Sequence, residues 1–542
     1  MACAKMAVAS MDRSLSERRL LIAWAFFAAI AVGWRLGGYP LLDADEGRNG
    51  EVAREMAATN DYVMPRLDAL PYLDKPIVYF AAEAATMEVA GPTEFASRFP
   101  SWLFTIATAV LLAWFARRNL SPGAARHPLP PGGGWGEGPI AAIVFLSMPL
   151  TIAFARTVIF DSALAFFITL AILAFYLERP TLAWAAMAFG VITKGPVALA
   201  VPLMVAIPYA IWRKKMRHVA SILGLILFVA IIAPWVWAIS LQIPDFLRYV
   251  LVTETAQRLT TGALKRTGPP WYFIPYVIGG AFPWIFAAFR KPASDNRQLW
   301  FDRFLLLWFA VPFIFFSLSQ SKRPQYVLPL MAPIALYVAR RTEPGRAAAI
   351  ATAIFGALLL VALPFAHIPF GRDAAIAIGV AALVCGIAAI FLRGAWAWIA
   401  LSLPMLTIPI ASNSAMNELA LRRSTKALVA QARPYVAPET EIVGIEAFTG
   451  SMAFYFQRPI VIVTPDAEEL TSNYIIRHYA AFASNPRSTI RPMSWLPHVF
   501  DRARARLVIL RDSDRKNRAL VEQHGGRLVA AGAHFVTYTM PR

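Results

Sequence analysis

Cysteine is nearly missing from this chain: Cys3 and Cys385 are the only two in 542 residues. One lies in the N-terminal tail and the other inside an apolar run, which excludes a disulfide framework and a cysteine metal site. Charge is scarce as well, at 16% Asp, Glu, Lys and Arg against 58% hydrophobic residues. With a mean hydropathy of +0.52, the surface of such a chain is too apolar for an ordinary soluble enzyme. No Walker pattern occurs and no G-x-G-x-x-G loop opens the C-terminal region, so nucleotide binding has no support. No internal repeat of the kind built into many secondary transporters is evident either. The charge that is present leans to one sign: 52 Lys and Arg against 33 Asp and Glu give a net +19. These cations sit in short clusters between hydrophobic runs, which points to membrane orientation and away from nucleic acid.

What the chain has in quantity is apolar length. About thirteen runs, most of roughly 17 to 22 residues, are long enough to cross a bilayer. They begin near residues 20, 97, 139, 160, 181, 195, 219, 271, 301, 325, 347, 373 and 395. The first run follows Arg13, Arg18 and Arg19 and is expected to stay as an uncleaved anchor. With the N-terminus in the cytoplasm, Arg117/Arg118, Arg213/Lys214/Lys215/Arg217, Arg290/Lys291 and Arg340/Arg341/Arg346 all fall inside, as positive-inside orientation requires. An odd number of spans then places the C-terminal region outside, the periplasm in a bacterium. The stretch 121–139, rich in Pro and Gly, reads as a flexible cytoplasmic connection. After residue 412 the pattern turns soluble: STKALVAQARPYV is helix-like, a second helix-like run lies near 466–482, and ETEIVGIEA, IVIVT, ARLVIL and HFVTYTM are strand-like. The expected fold class is a polytopic α-helical membrane protein of about thirteen transmembrane helices. Its membrane domain is 1–412, with a first outer loop at 38–96, and a small extracytoplasmic α/β domain follows at 413–542.

Within this apolar frame a few polar clusters stand out. If Asp45 opens a helix, its carboxylate caps the free amides and Arg48 lies one turn away on the same face. Asp74, Lys75 and Pro76 read as the start of a second short helix, with Pro in the first turn and an amide end suited to a phosphate. Further on, Arg156 and Asp161 flank the start of a span, where the bland reading of Asp161 is a cap paired to Arg156. Lys194 interrupts an apolar run just before Gly195 and Pro196. The segment 241–270 carries Glu254, Arg258, Lys265 and Arg266 and is long enough for a lid or a surface helix over a cavity, the surface helix being the plainer reading. Lys322 and Arg323 occupy an outward turn ahead of Tyr326, with snorkelling to headgroups as their ordinary role. One orientation puts Asp45, Glu46, Arg48, Lys75, Asp161, Lys194, Glu254, Lys322 and Arg323 at the outer membrane edge. Carboxylates beside several cations suit group transfer from a phosphate leaving group.

Several stretches carry a resemblance: LLDADEGRNGEVAREM, DYVMPRLDALPYLDKP, EFASRFPSWL, ITKGPVALAVP and SKRPQYVLPLMAP. Together they resemble the aminoarabinose transferase branch of the GT-C glycosyltransferases, which is related to the protein O-mannosyltransferases. The likeness spans nearly the whole membrane region and implies a multi-spanning fold, an extracytoplasmic active site and a polyprenyl-phosphate sugar donor. By that resemblance Asp45 matches the acidic residue of the first outer loop, Arg48 and Lys75 the donor-phosphate contacts, and Asp161 a second acidic residue of the cavity. Glu46 and Asp74 are their neighbours. Asn49 and Gly50 stand where the family often has Tyr-Ala, and Thr255 where His is common. The implied activity is inverting transfer of aminoarabinose or a similar sugar from polyprenyl (undecaprenyl) phosphate to lipid A or another cell-envelope glycan. A protein acceptor is the alternative within this class, and a flippase of lipid-linked sugars the alternative outside it. Catalytic candidates are Asp45, Asp161 and Glu46. Arg48, Lys75, Lys194, Lys322 and Arg323 are the donor-phosphate candidates, with Asp74, Arg258, Tyr326 and Glu254 as further cavity residues. The sequence requires no cofactor, and a divalent metal has no support in it. The expected partners are the lipid-linked donor, a lipid or glycan acceptor and membrane lipids, with the protein a monomer of the bacterial inner membrane.

Overall fold

The computed structural model describes residues 2–120, 136–250, 268–288, 296–341, 343–366, 371–501 and 504–540, with side chains from residue 15 and, in the segment opening at 296, from residue 300. The chain divides into two compact units. One comprises Met1–Arg35, Ser101–Val236 and Leu251–Ser414, the other Leu36–Pro100, Trp237–Val250 and Ala415–Arg542.

The first unit is helical, because long Ala, Leu, Ile and Phe runs in hydrocarbon must satisfy every backbone group within the segment. From residue 97 onward, a helix begins at or close to each expected start. Among the described residues, Glu94–Asn119, Met216–Gln242, Trp300–Leu318 and Arg372–Phe391 are long and apolar enough to cross a membrane. Glu137–Leu146 and Pro149–Ala155 are together long and apolar enough to cross but are bent by 69°, a broken span or a re-entrant loop, where Pro149 denies the ladder an N–H. Asp161–Tyr176, Val197–Trp212, Pro324–Ala339 and Arg346–Ala362 are shorter apolar helices. The core is aromatic: Trp284, Trp308, Trp398, Phe273 and Phe304 are fully buried, and Trp284 stacks on Trp398 while donating to Ser147 Oγ at 2.9 Å. Arg346–Ala362 and Arg372–Phe391 pack through small residues, Ala349, Thr352 and Gly356 against Gly379, Ala382 and Gly386. In lipid, where apolar contact alone gives no advantage, such a seam lets backbones approach closely. Phe26, Ile222, Phe365 and Phe391 point outward, as expected of a lipid-facing surface.

Among the described residues the second unit holds eight strands: β1 (Arg66–Leu67), β2 (Leu70–Pro71), β3 (Glu441–Ile445), β4 (Val461–Val463), β5 (Ile490–Arg491), β6 (Arg506–Arg511), β7 (Arg527–Ala531) and β8 (Phe535–Met540). β1 and β2 form a small hairpin, and the other six a sheet of order β5-β4-β3-β6-β8-β7. The first four of these are parallel, while β8 runs antiparallel to β6 and β7 antiparallel to β8. Buried parallel strands read as unbroken apolar runs, which is why EIVGI, VIV and RLVIL are recognisable in sequence. β7 is not, since it is an exposed edge with an irregularity between Leu528 and Ala530. The helix expected near 466–482 breaks into Glu468–Leu470, Asn473–Arg477 and Tyr479–Ser484, because Thr471 adopts a left-handed backbone, φ 52°, that no α-helix accommodates.

Candidate functional site

In the second unit the DADEGR stretch opens the helix Asp45–Thr59. Two acids in its first turn suit the positive end of the helix. The expected cap is corrected: Ala44 is the cap residue and Asp45 the first residue of the helix, and Asp45 pairs with Arg48, at 2.6 Å from Nη2. The neighbouring Glu46 reaches back to the Leu42 N–H at 3.0 Å. Arg48 Nη1 also donates to Thr471, at 2.8 Å to Oγ1 and 3.1 Å to the carbonyl oxygen. The guanidinium is thus held at both ends, with the Tyr72 ring centroid 5.9 Å away. Its Nε is buried and finds no acceptor among the described residues. Asp45 stays 44% exposed. Glu46 is committed otherwise: both of its oxygens accept from the buried Arg98, at 3.0 and 2.7 Å.

Lys75 and Pro76 also need a correction. The helix starts at Val78 with Ile77 as its cap residue, so Pro76 precedes the first turn and Lys75 Nζ donates to the Asp74 carbonyl at 2.7 Å. The Asp74 carboxylate is tied down by the Tyr249 hydroxyl at 2.8 Å and by the amides of Asn473 and Tyr474 at 2.9 and 3.0 Å.

In the first unit Asp161 is the first residue of its helix, again without a capping bond. The expected partner Arg156 donates instead to the carbonyls of Val32 and Trp34, at 2.8 and 2.7 Å. Asp161 forms its ion pair with Lys194, the last residue of the helix Pro180–Lys194. The other carboxylate oxygen, Oδ2, is buried without a partner among the described residues. Lys194 lies 5.7 Å from the Tyr326 ring centroid, within cation–π range. Lys322 is buried and donates to the carbonyls of Ser317 and Ser319, at 2.9 and 2.5 Å. These close the C-terminal end of Asn296–Leu318, where a cation is favoured. Arg323 immediately precedes the 3₁₀ turn Pro324–Leu330 and makes no side-chain capping bond to it. Glu254, Arg258, Thr255, Lys265 and Arg266 lie outside the described residues, as do Arg290, Lys291 and most of the 121–139 loop.

Three residues of the second unit were missed. Arg98 lies in EFASRFPSWL with no role assigned to it, and Thr471 is one of several polar residues in EELTSN. Asp43 accepts from the Ser451 amide at 3.0 Å and from the Ser451 hydroxyl, while its own N–H donates to the Arg423 carbonyl at 2.7 Å. Burial pushes the Asp43 carboxyl up to about 6, against the pull of the Ser451 hydrogen bonds. The chain crossing here is close: a Cβ on Gly47 would lie 2.4 Å from the Ser451 nitrogen, and one on Gly450 2.2 Å from the Arg48 nitrogen. Burial also holds Glu51, Asp68 and Glu83 well above the usual carboxylate range. Among the described residues, no group of three or more His, Cys, Asp or Glu is placed to hold a metal ion.

No protein-family model matches the chain. An undecaprenyl phosphate-alpha-4-amino-4-deoxy-L-arabinose arabinosyl transferase of Aeromonas hydrophila subsp. hydrophila is 29% identical over 342 residues, which is 60% of this chain and 60% of that protein. The match therefore spans well under the full length of that relative. A protein of the same name from Edwardsiella ictaluri is 29% identical over 439 residues, 74% of this chain and 77% of its own. Among solved structures, ArnT from Cupriavidus metallidurans in the apo state superposes with a TM-score of 0.78 at 23% identity, covering 99% of this chain and 98% of that one. The same protein bound to undecaprenyl phosphate gives 0.76 at 22%, covering 96% and 97%. The chain thus has the GT-C fold of the aminoarabinose transferases and is similar to them in sequence along most of its length.

Proposed function

We propose that the protein is an inverting glycosyltransferase that moves aminoarabinose or a similar sugar from undecaprenyl phosphate to lipid A or another envelope glycan. An acceptor oxygen attacks the anomeric carbon, the bond from that carbon to the phosphate oxygen breaks, and its electron pair leaves with the polyprenyl phosphate. Arg48 and Lys75 receive the developing phosphate charge. Asp45 orients a hydroxyl acceptor and takes its proton; an acceptor that is already an ionised phosphate has none to give. Asp161, paired with Lys194, is the second acidic residue of the reaction.

The observation that carries this reading is Arg48 itself. Its guanidinium is braced by Asp45 and Thr471 while its buried Nε–H has no acceptor among the described residues, an arrangement suited to one oxygen of a phosphate. The names of the relatives support the choice of donor. The setting is the bacterial inner membrane, with the site facing the periplasm, residues 413–542 extracytoplasmic and the protein monomeric.

Purified protein in detergent, given undecaprenyl-phosphate aminoarabinose and lipid A, should yield a lipid A product heavier by one aminoarabinose in mass spectra. The matching nucleotide sugar should yield none; transfer from it in the absence of lipid carrier sinks the reading. Cysteines placed near 60 and 500 should react with an impermeant reagent from the periplasmic side, and those near 130 and 215 should not.

A further inference from the structure

The two cations assigned to the donor phosphate come from different turns of the 36–100 segment. What brackets them is a four-residue turn of the C-terminal segment. Thr471 accepts from Arg48 Nη1 through both its hydroxyl and its carbonyl. Two and three residues later, the amides of Asn473 and Tyr474 clamp the carboxylate of Asp74, whose carbonyl holds Lys75 Nζ. Ser472 shapes the turn between them as the cap of Asn473–Arg477. Tyr474 packs edge-on against Tyr249, at 5.1 Å between ring centroids, and the Tyr249 hydroxyl is the third donor to Asp74.

Thr471 sits at φ 52°, ψ 29°. A β-branched residue is an outlier in this left-handed region, where Gly or Asn is at ease. Packing alone would not favour threonine here, since strain at one position persists only when the surroundings hold it in place. What threonine offers and glycine lacks is the hydroxyl on Arg48.

We infer that Thr471 is a positioning residue for the donor phosphate, and that the turn 471–474 sets Arg48 and Lys75 relative to one another. This rests on the proposed function, and it assigns the C-terminal segment a part in donor recognition. Without the Thr471 hydroxyl, Arg48 keeps Asp45 but loses one of its two anchors on the other side. The guanidinium then swings, and the phosphate is held less well.

The test is Thr471→Gly, with Thr471→Asn beside it. Both remove the hydroxyl while fitting the left-handed backbone, so thermal midpoints in detergent should equal or exceed that of the wild type. Affinity for undecaprenyl phosphate, read by native mass spectrometry, and the donor KM should both worsen by about tenfold, the worth of one hydrogen bond to a charged group. The kcat should stay within about twofold, and Thr471→Ser, which keeps the hydroxyl, should behave as wild type. Folded Gly and Asn variants with unchanged donor affinity would overturn the inference. So would loss of folding in both, since Thr471 would then serve the fold and not the site, and so would a Ser variant as weak as the Gly variant. Wild-type protein that transfers no sugar refutes the broader reading instead, a result separate from any variant.

Discussion

Replacing Glu46 by Gln should destabilise the protein by about 3 kcal/mol without touching the reacting groups. Glu46 and Arg98 are a buried pair, 3% and 0% exposed, joined by two hydrogen bonds. Removing one partner of such a pair typically costs about 3–5 kcal/mol, because the other charge is left buried. Arg98 would still have the carbonyls of Leu36, Tyr39 and Pro40, at 3.2, 2.8 and 3.0 Å, and the Tyr39 ring at 3.8 Å, which places the loss at the lower end. At roughly 2–4 °C per kcal/mol, the thermal midpoint should fall by about 6–12 °C. The double variant Glu46→Gln/Arg98→Met removes both charges and should lose clearly less than the two single changes added together. Thermal unfolding of the four proteins in one detergent completes the cycle, and a coupling of about 2 kcal/mol or more is expected. Additivity to within about 0.5 kcal/mol would refute the pair as a structural unit and return Glu46 to the list of candidate catalysts.

Arg48→Lys should leave the fold intact yet weaken donor use by about tenfold or more, since an ammonium cannot reach Asp45, Thr471 and a phosphate together; wild-type donor KM in that variant removes Arg48 from the donor site. Asp45→Asn and Asp161→Asn should each lower kcat by about a hundredfold or more in protein that elutes as wild type on gel filtration, and unchanged turnover in either strikes out that residue. Burial raises the carboxyl groups of Asp43, Glu51, Asp68 and Glu83, so between about pH 4 and their folded values the native chain binds more protons than the unfolded one. The stability they contribute therefore falls as pH rises, through about 6 for Asp43. Thermal midpoints should be higher near pH 5 than near pH 7.5, and Glu83→Gln should raise the midpoint more at the higher pH; the reverse order contradicts the assignment.

Local spacing made part of this molecule legible. The length of the apolar runs placed the helix starts, and the i, i+3 relation of Asp45 to Arg48 predicted the pair that forms. Unbroken VIV and RLVIL runs marked the inner strands. Pairings made by the fold were not legible. Asp161 selects Lys194, 33 positions away, over the nearby Arg156, because Arg156 is held by the carbonyls that end the Ala2–Val32 helix and follow it. Asp43 meets Ser451 and Arg48 meets Thr471 across some four hundred residues, a distance at which one sequence carries no periodic signal. Pro76 was placed in the first turn when it belongs just before it, the usual uncertainty of helix ends.

The second unit is assembled from three stretches of chain, Leu36–Pro100, Trp237–Val250 and Ala415–Arg542. On the ribosome the first of these emerges early, while Ser451, Thr471, Asn473 and Tyr474 are made some four hundred residues later. Until then Asp43 lacks its serine, Arg48 its threonine and Asp74 two of its three donors. The nascent protein therefore threads its helices into the bilayer before any of these charges acquires its final setting, and contacts of such long sequence separation are slow to form. Synthesis of residues 451–474 acts as the assembly signal. A half-made chain, although already in the membrane, holds Arg48 and Asp74 without the turn that braces them.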